Sequence, residues 1–156
     1  MAVHSVLATT SEDNDMGKIL CATRGGAASY RTQDAVIALA GEQGDSVVFL
    51  YVVDTAFLDY TARAVRPDVV ATEMRNLGEF LLAMACERAA SQGVEATSLV
   101  KHGQLDDALK EAALEEEATL VTLGRPLGDE SRFQLAALEE FAAEITAETG
   151  VETRIV

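Results

Sequence analysis

Arg24, Gly25, Gly26, Ser29 and Arg31 are the residues whose types and spacing point most directly to chemistry. They fall in Lys18-Ile19-Leu20-Cys21-Ala22-Thr23-Arg24-Gly25-Gly26-Ala27-Ala28-Ser29-Tyr30-Arg31, a short apolar run that breaks at a glycine pair and restarts with helical spacing. The pattern predicts strand, tight loop and helix, with Ser29 as an N-cap that also offers a hydroxyl. A glycine pair lets the backbone come close to a ligand, and the free N–H groups at a helix start attract anions. Arginine on either side adds charge, and its guanidinium fork matches phosphate oxygens. The chemistry suggested is anion capture. A plain tight turn with two solvated arginines would carry the same residues.

Little else points to bond-making. The two histidines, His4 and His102, have no serine or cysteine partner at catalytic spacing, and no His/Cys cluster suits a metal. His102, before Gly103 at the end of a predicted strand, reads as a loop or packing residue. Cys21 and Cys86 lack CxxC spacing and fall in apolar runs, so both are expected to be buried thiols. Tyr30 and Tyr60 could stack on a base, or simply pack.

These residues need a scaffold, and 156 residues at 49% apolar content suit one domain with a single well-formed core. The net charge of −14 argues against general binding of nucleic acid or anionic membranes, because phosphate contacts need clustered Lys and Arg. No apolar run approaches membrane-spanning length, the longest being Val47 to Val53 and Phe80 to Cys86. Residues 1–17 lack a basic n-region and an apolar h-region, so they read as a mobile extension and the cytoplasm is the default location. The domain proper is residues 18–156.

Within it, strands are predicted at Lys18–Thr23, Ser46–Val53, Val94–Lys101, Ala118–Leu123 and Val151–Val156. The second is an unbroken β-branched run, typical of a strand covered on both faces. Helices are predicted from Ser29 to Gln43, ended by Gly41 and Gly44, from Pro67 or Asp68 to about Ser91, from Gln104 to Glu117, and from Ser131 to Thr149. Val36, Leu39 and Ala40 would face inward from the first, and Val70, Met74, Leu77, Leu81 and Met84 from the second. Leu105, Ala108, Leu109 and Ala112 would do so from the third, and Phe133, Ala137, Phe141 and Ile145 from the fourth. Five strands alternating with four helices demand an α/β fold, a parallel sheet with helices on both faces and right-handed crossovers.

In such sheets ligands bind beyond the carboxyl ends of the strands. The strand-to-helix loops on that rim hold Arg24, Arg31, Arg63, Arg66, Arg125 and Arg132, six of the nine arginines, while Arg75, Arg88 and Arg154 lie elsewhere. That asymmetry in an acidic chain is the strongest sign of an anionic ligand, although arginine also holds acidic loops together.

With these pieces in order, the chain resembles the universal stress protein family from Lys18 to Val156. The resemblance is carried by Lys18-Ile19-Leu20 before a glycine loop, Phe49-Leu50-Tyr51-Val52-Val53-Asp54, Lys101-His102-Gly103, and Ala118-Thr119-Leu120-Val121-Thr122-Leu123-Gly124. It implies a Rossmann-like single domain with strand order 3-2-1-4-5, homodimerisation through the last strand, and an ATP-binding or a non-binding branch. The chain departs from the ATP-binding branch. Arg24 stands where that branch has Asp, and in its G-x-x-G-x9-G-S/T loop Gly124 is kept, Leu127 takes the second glycine and Ala137-Leu138 the final pair. These changes argue against triphosphate in the family's usual pose. Arg24 to Ser29 is also weakly similar to the S-G-G-x-D-S loop of PP-loop ATP pyrophosphatases, without its leading Ser and its Asp.

The resemblance and the arginines together lead to a non-catalytic regulatory homodimer that takes an adenine nucleotide (AMP, ADP or ATP) or another phosphate anion, with no metal. The expected site residues are Thr23, Arg24, Gly25, Gly26, Ser29, Val53, Leu123, Gly124, Arg125 and Arg132. The alternative is a ligand-free homodimeric stress-response protein acting through protein partners.

Overall fold

The computed structural model describes residues 16–56, 66–126 and 131–156, and for 131–133 the backbone course only. His4, Tyr60, Arg63, Leu127 and the extension up to residue 15 lie outside the described residues, as does the side chain of Arg132. Nine elements alternate: β1 (Lys18–Ala22), α1 (Ala27–Gln43), β2 (Ser46–Val53), α2 (Pro67–Ser91), β3 (Ala96–His102), α3 (Leu105–Glu115), β4 (Leu120–Leu123), α4 (Ser131–Thr149) and β5 (Glu152–Ile155). The strands form one sheet in the order β3-β2-β1-β4-β5, and every described pairing is parallel. This is the expected architecture and strand order.

Alternation along the strands divides the core into two layers. Ile19, Cys21, Val47, Phe49, Tyr51 and Val53 face α1 and α2. Leu20, Val48, Leu50, Val121 and Leu123 face α3 and α4. The central strands are apolar on both sides because helices cover both sides.

Five local expectations change. Gly26, not Ser29, is the N-cap of α1, at φ 107°, a conformation only glycine takes readily, and no side chain caps that end. Gly41 lies inside α1, which ends at Gly44 in the left-handed conformation. On α2 the inner face is Gly78, Leu82, Ala85 and Ala89, whereas Leu77 is 53% and Met84 38% exposed. The cause lies on β2: a Cβ on Gly78 would fall 2.3 Å from the Tyr51 ring. Small residues therefore bring α2 close to the sheet beside Leu82 and leave Leu77 and Met84 outward, while Met74 and Leu81 of the expected stripe pack against the core. Ala137 is exposed on α4, where Leu138, Phe141 and Ala142 pack inward instead. Cys21 is buried as expected, but Cys86 is only half-buried.

Candidate functional site

β1 and β4 are neighbours, while their crossovers leave toward opposite faces of the sheet, so their carboxyl ends open a crevice between the β1–α1 and β4–α4 loops. A cleft of about 660 Å³ occupies that position. Its floor is apolar. Leu50 and Val52 come from β2, Leu105 and Leu109 from α3, and Leu138 and Phe141 from α4. Its upper wall is polar, with Arg24, Ser29, Thr32, Asp54, Arg125 and Gln134. Two arginines against one carboxylate give this lining a positive balance in a chain of net charge −14.

α1 organises the side of the cleft that carries Arg24 and Ser29. The first intrahelical bond runs from Tyr30 N–H to the Gly26 carbonyl at 3.1 Å. The N–H groups of Ala27, Ala28 and Ser29 in the first turn have no intrahelical acceptor, and the turn holds no acidic side chain. Ser29 Oγ accepts the Arg24 N–H at 3.0 Å, which folds the loop back onto the helix. Thr32 Oγ1 donates to the Ala28 carbonyl at 3.0 Å. Across the cleft, the Arg125 N–H donates to the Val156 carbonyl and the Val156 N–H to the Leu123 carbonyl, both at 2.9 Å. The β4–β5 ladder thus continues past Leu123 and fixes the backbone that carries Arg125.

Of the expected site residues, Thr23, Arg24, Ser29, Leu123, Gly124 and Arg125 line the cleft. Gly25 and Gly26 are not among the lining residues, and Gly25 lies toward Leu81 of α2. Val53 does not line it: at 2% exposure it packs against the α1 and α2 layer, and Val52, one residue earlier on the alternation, takes the position facing the cleft. Arg31 and Arg66 also lie off the lining, Arg66 being paired with Asp68 at 3.1 Å. Thr23 turns its hydroxyl away, into a hydrogen bond from Gln33 Nε2 at 2.6 Å.

Sequence reasoning missed Thr32, Asp54 and Gln134, while Leu138, read as the last residue of the altered loop motif, does line the cleft. The first two have a signal in hindsight. Thr32 stands one turn after Ala28, on the face of α1 that meets the β4 loop, and Asp54 directly follows β2 on the rim. Asp54 Oδ1 accepts the Ala56 N–H at 3.0 Å, shaping the start of the next loop. Leu138 fills with hydrocarbon the place where a hydroxyl was sought. Among the described residues, no group of three His, Cys, Asp or Glu side chains is arranged to hold a metal ion.

A doubly wound α/β fold with an arginine-bearing cleft at the strand-order reversal defines a Rossmann-like protein with a candidate site on its C-terminal rim. Residues 16–135 match the universal stress protein family, and the chain belongs to that family. No curated protein sequence matches it. Among solved structures it is similar to a universal stress family protein from Burkholderia pseudomallei, at 20% identity and TM-score 0.70, over 90% of this chain and 95% of that one. It is similar to a universal stress protein in complex with cAMP, at 18% identity and TM-score 0.62, over 91% and 97% of the two chains. It is also similar to a family member from Arabidopsis thaliana with AMP bound, at 13% identity and TM-score 0.60, over 90% of each chain.

Proposed function

We propose that this protein is a non-catalytic regulatory member of its family that binds a nucleotide carrying one or two phosphates in the rim cleft. The observation that carries this reading is the convergence of Arg24, Arg125 and the uncapped start of α1 on one cleft with an apolar floor. The floor takes the base and the arginine wall takes the phosphate, a division of labour common to small-molecule sites. The AMP and cAMP bound by two structural relatives support a mononucleotide in this fold. With two arginines supplying the countercharge, binding needs no Mg²⁺. Homodimerisation through β5 and a cytoplasmic location complete the proposal; among the described residues no helix is long and apolar enough to cross a membrane.

The test is a thermal-shift series with AMP, ADP, ATP, cAMP and inorganic phosphate, with and without Mg²⁺. A ligand at a hundred times its dissociation constant adds about 2.7 kcal/mol, a shift of several degrees for a domain of this size. A mononucleotide shift that is independent of Mg²⁺ and lost in Arg24→Ala supports the assignment. A flat series with every ligand removes it.

One observation favours a second function, action through a protein partner. Leu77, Phe80 and Met84 form an exposed apolar stripe along α2, with Phe80 61% exposed. A flat ligand series together with loss of a pull-down partner in Phe80→Ser would favour that function.

A further inference from the structure

Thr23 and Gln33 are polar yet almost wholly buried, at 3% and 2% exposure, between the end of β1 and the second turn of α1. A buried amide is costly unless both of its ends are paired. Gln33 Nε2 donates to Thr23 Oγ1 at 2.6 Å, and Gln33 Oε1 accepts from Arg88 Nη1 of α2 at 3.4 Å. The Thr23 hydroxyl donates onward to the Arg24 carbonyl at 3.3 Å. Arg88 is itself anchored by Asp34 and by the Tyr30 ring, whose centroid lies 5.0 Å from its Cζ.

Every donor in this relay points the same way, from the guanidinium on α2 through α1 to the backbone of the β1–α1 loop. Bonds aligned in this sense polarise one another in a low-dielectric interior. Packing alone asks for no amide at this position, since a methionine would fill the same length. The loop does need an anchor. Gly25 and Gly26 give it more conformational freedom than any other pair of residues would, and the Arg24 N–H is tied only to Ser29 Oγ. The relay ties the other side of the same residue.

We infer that Gln33 and Arg88 are positioning residues that hold the Arg24-Gly25-Gly26 loop, from the helix layer opposite the cleft floor, in the form that receives phosphate. The part concerning phosphate rests on the nucleotide function proposed above; the part concerning the loop does not. Two variants of the full chain separate this role from simple stabilisation. Gln33→Met breaks the relay and leaves Thr23 and Arg88 short of a partner. Thr23→Val/Gln33→Met makes both buried positions apolar, which recovers stability because neither buried group then lacks a partner.

Amide hydrogen exchange in the ligand-free protein is measured first. Exchange at the Arg24 amide, the loop N–H bonded to Ser29 Oγ, is expected to rise about tenfold in both variants while β2 and β4 keep their protection, with the melting temperature restored in the double variant. Affinity for AMP is then expected to fall about tenfold in both variants, with affinity for adenosine held within about twofold in Gln33→Met, whose changed residue does not line the cleft. Unchanged loop exchange in both variants overturns the inference. So does equal loss of AMP and adenosine in Gln33→Met, or loop exchange that returns to normal in the double variant. Faster loop exchange in a protein whose wild type takes no nucleotide upholds the loop-holding role and defeats the nucleotide function instead.

Discussion

A Cβ on Gly124 would lie 2.3 Å from Thr32 Oγ1 and 3.3 Å from its Cβ, so this glycine is demanded first by the close approach of α1 to the β4 loop. Gly124 is not among the glycines at positive φ, so its backbone accepts alanine and only the contact objects. Gly124→Ala is expected to destabilise by about 1–3 kcal/mol, the usual range for overpacking. Adding Thr32→Ala to the same chain should recover most of that loss; urea unfolding of the single and double variants measures both. If Thr32→Ala gives no recovery, the contact is not the reason for the glycine. The two thiols follow the same logic of local surroundings. Burial pushes the Cys21 thiol up to about 12, against a weaker opposing hydrogen bond involving Thr122. Cys86 is raised too, by burial, but is half-buried on α2. Since the thiolate is the nucleophile, an alkylating reagent at pH 8 is expected to label Cys86 in the native protein and Cys21 only on unfolding, which peptide mass mapping checks.

At the scale of elements, two lysines fasten the acidic helices. Lys101 of β3 reaches Glu111 at 3.1 Å and Glu115 at 2.8 Å on α3, and Lys110 of α3 reaches Glu144 at 3.3 Å and Glu148 at 2.6 Å on α4. The hydrogen bond from Lys101 holds the Glu115 carboxyl below the usual range, and the bond to Glu115 is the main reason the Lys101 ammonium is raised. A depressed carboxyl contributes stability above its unfolded value and loses it as pH falls through the folded one. A raised ammonium contributes below its unfolded value and loses it as pH rises through the folded one. Lys101→Met is therefore expected to melt below the wild type at neutral pH, with the gap closing in strong acid and again in strong alkali. Melting curves across pH check this, and a gap that persists in strong acid would contradict the clamp. These helices were legible in the sequence because their ends and acidic faces are local features. On α2 the outcome is split: Met74 and Leu81 pack against the core as their spacing suggests, whereas Leu77 and Met84 are turned outward by the close contact of Gly78 with Tyr51. No local pattern reports that contact, which joins residues far apart in sequence. The candidate site divides the same way. Arg24, the glycine pair and Arg125 stood out by type and position, whereas Thr32, Gln134 and the choice of Val52 over Val53 depend on which face of its element each residue occupies.

For the molecule as a whole, the sheet ends at β3 and β5 with no further strand among the described residues, and β5 links one of these edges to the candidate cleft. Val156 directs both its N–H and its carbonyl toward β4, holding Leu123 and Arg125. Strand alternation then turns the backbone groups of Thr153 and Ile155 the other way, toward an edge with no partner among the described residues. An unpaired edge is a template for another strand, and this one is proposed to pair with a second copy. Proline at an edge position whose N–H faces outward removes a donor from the intermolecular ladder while sparing the bonds to β4. Thr153→Pro is therefore expected to halve the assembly while keeping the fold. Sedimentation equilibrium should give the mass of two 16.6 kDa chains for the wild type and one for the variant, with unchanged circular dichroism. Since Val156 still holds Arg125 in that variant, a monomer that keeps its nucleotide affinity would make the site complete within one chain. A monomer that loses affinity would mean that pairing at β5 steadies the Arg125 loop. A dimer untouched by Thr153→Pro would move the contact off β5, and the Leu77-Phe80-Met84 stripe would be the surface to mutate next.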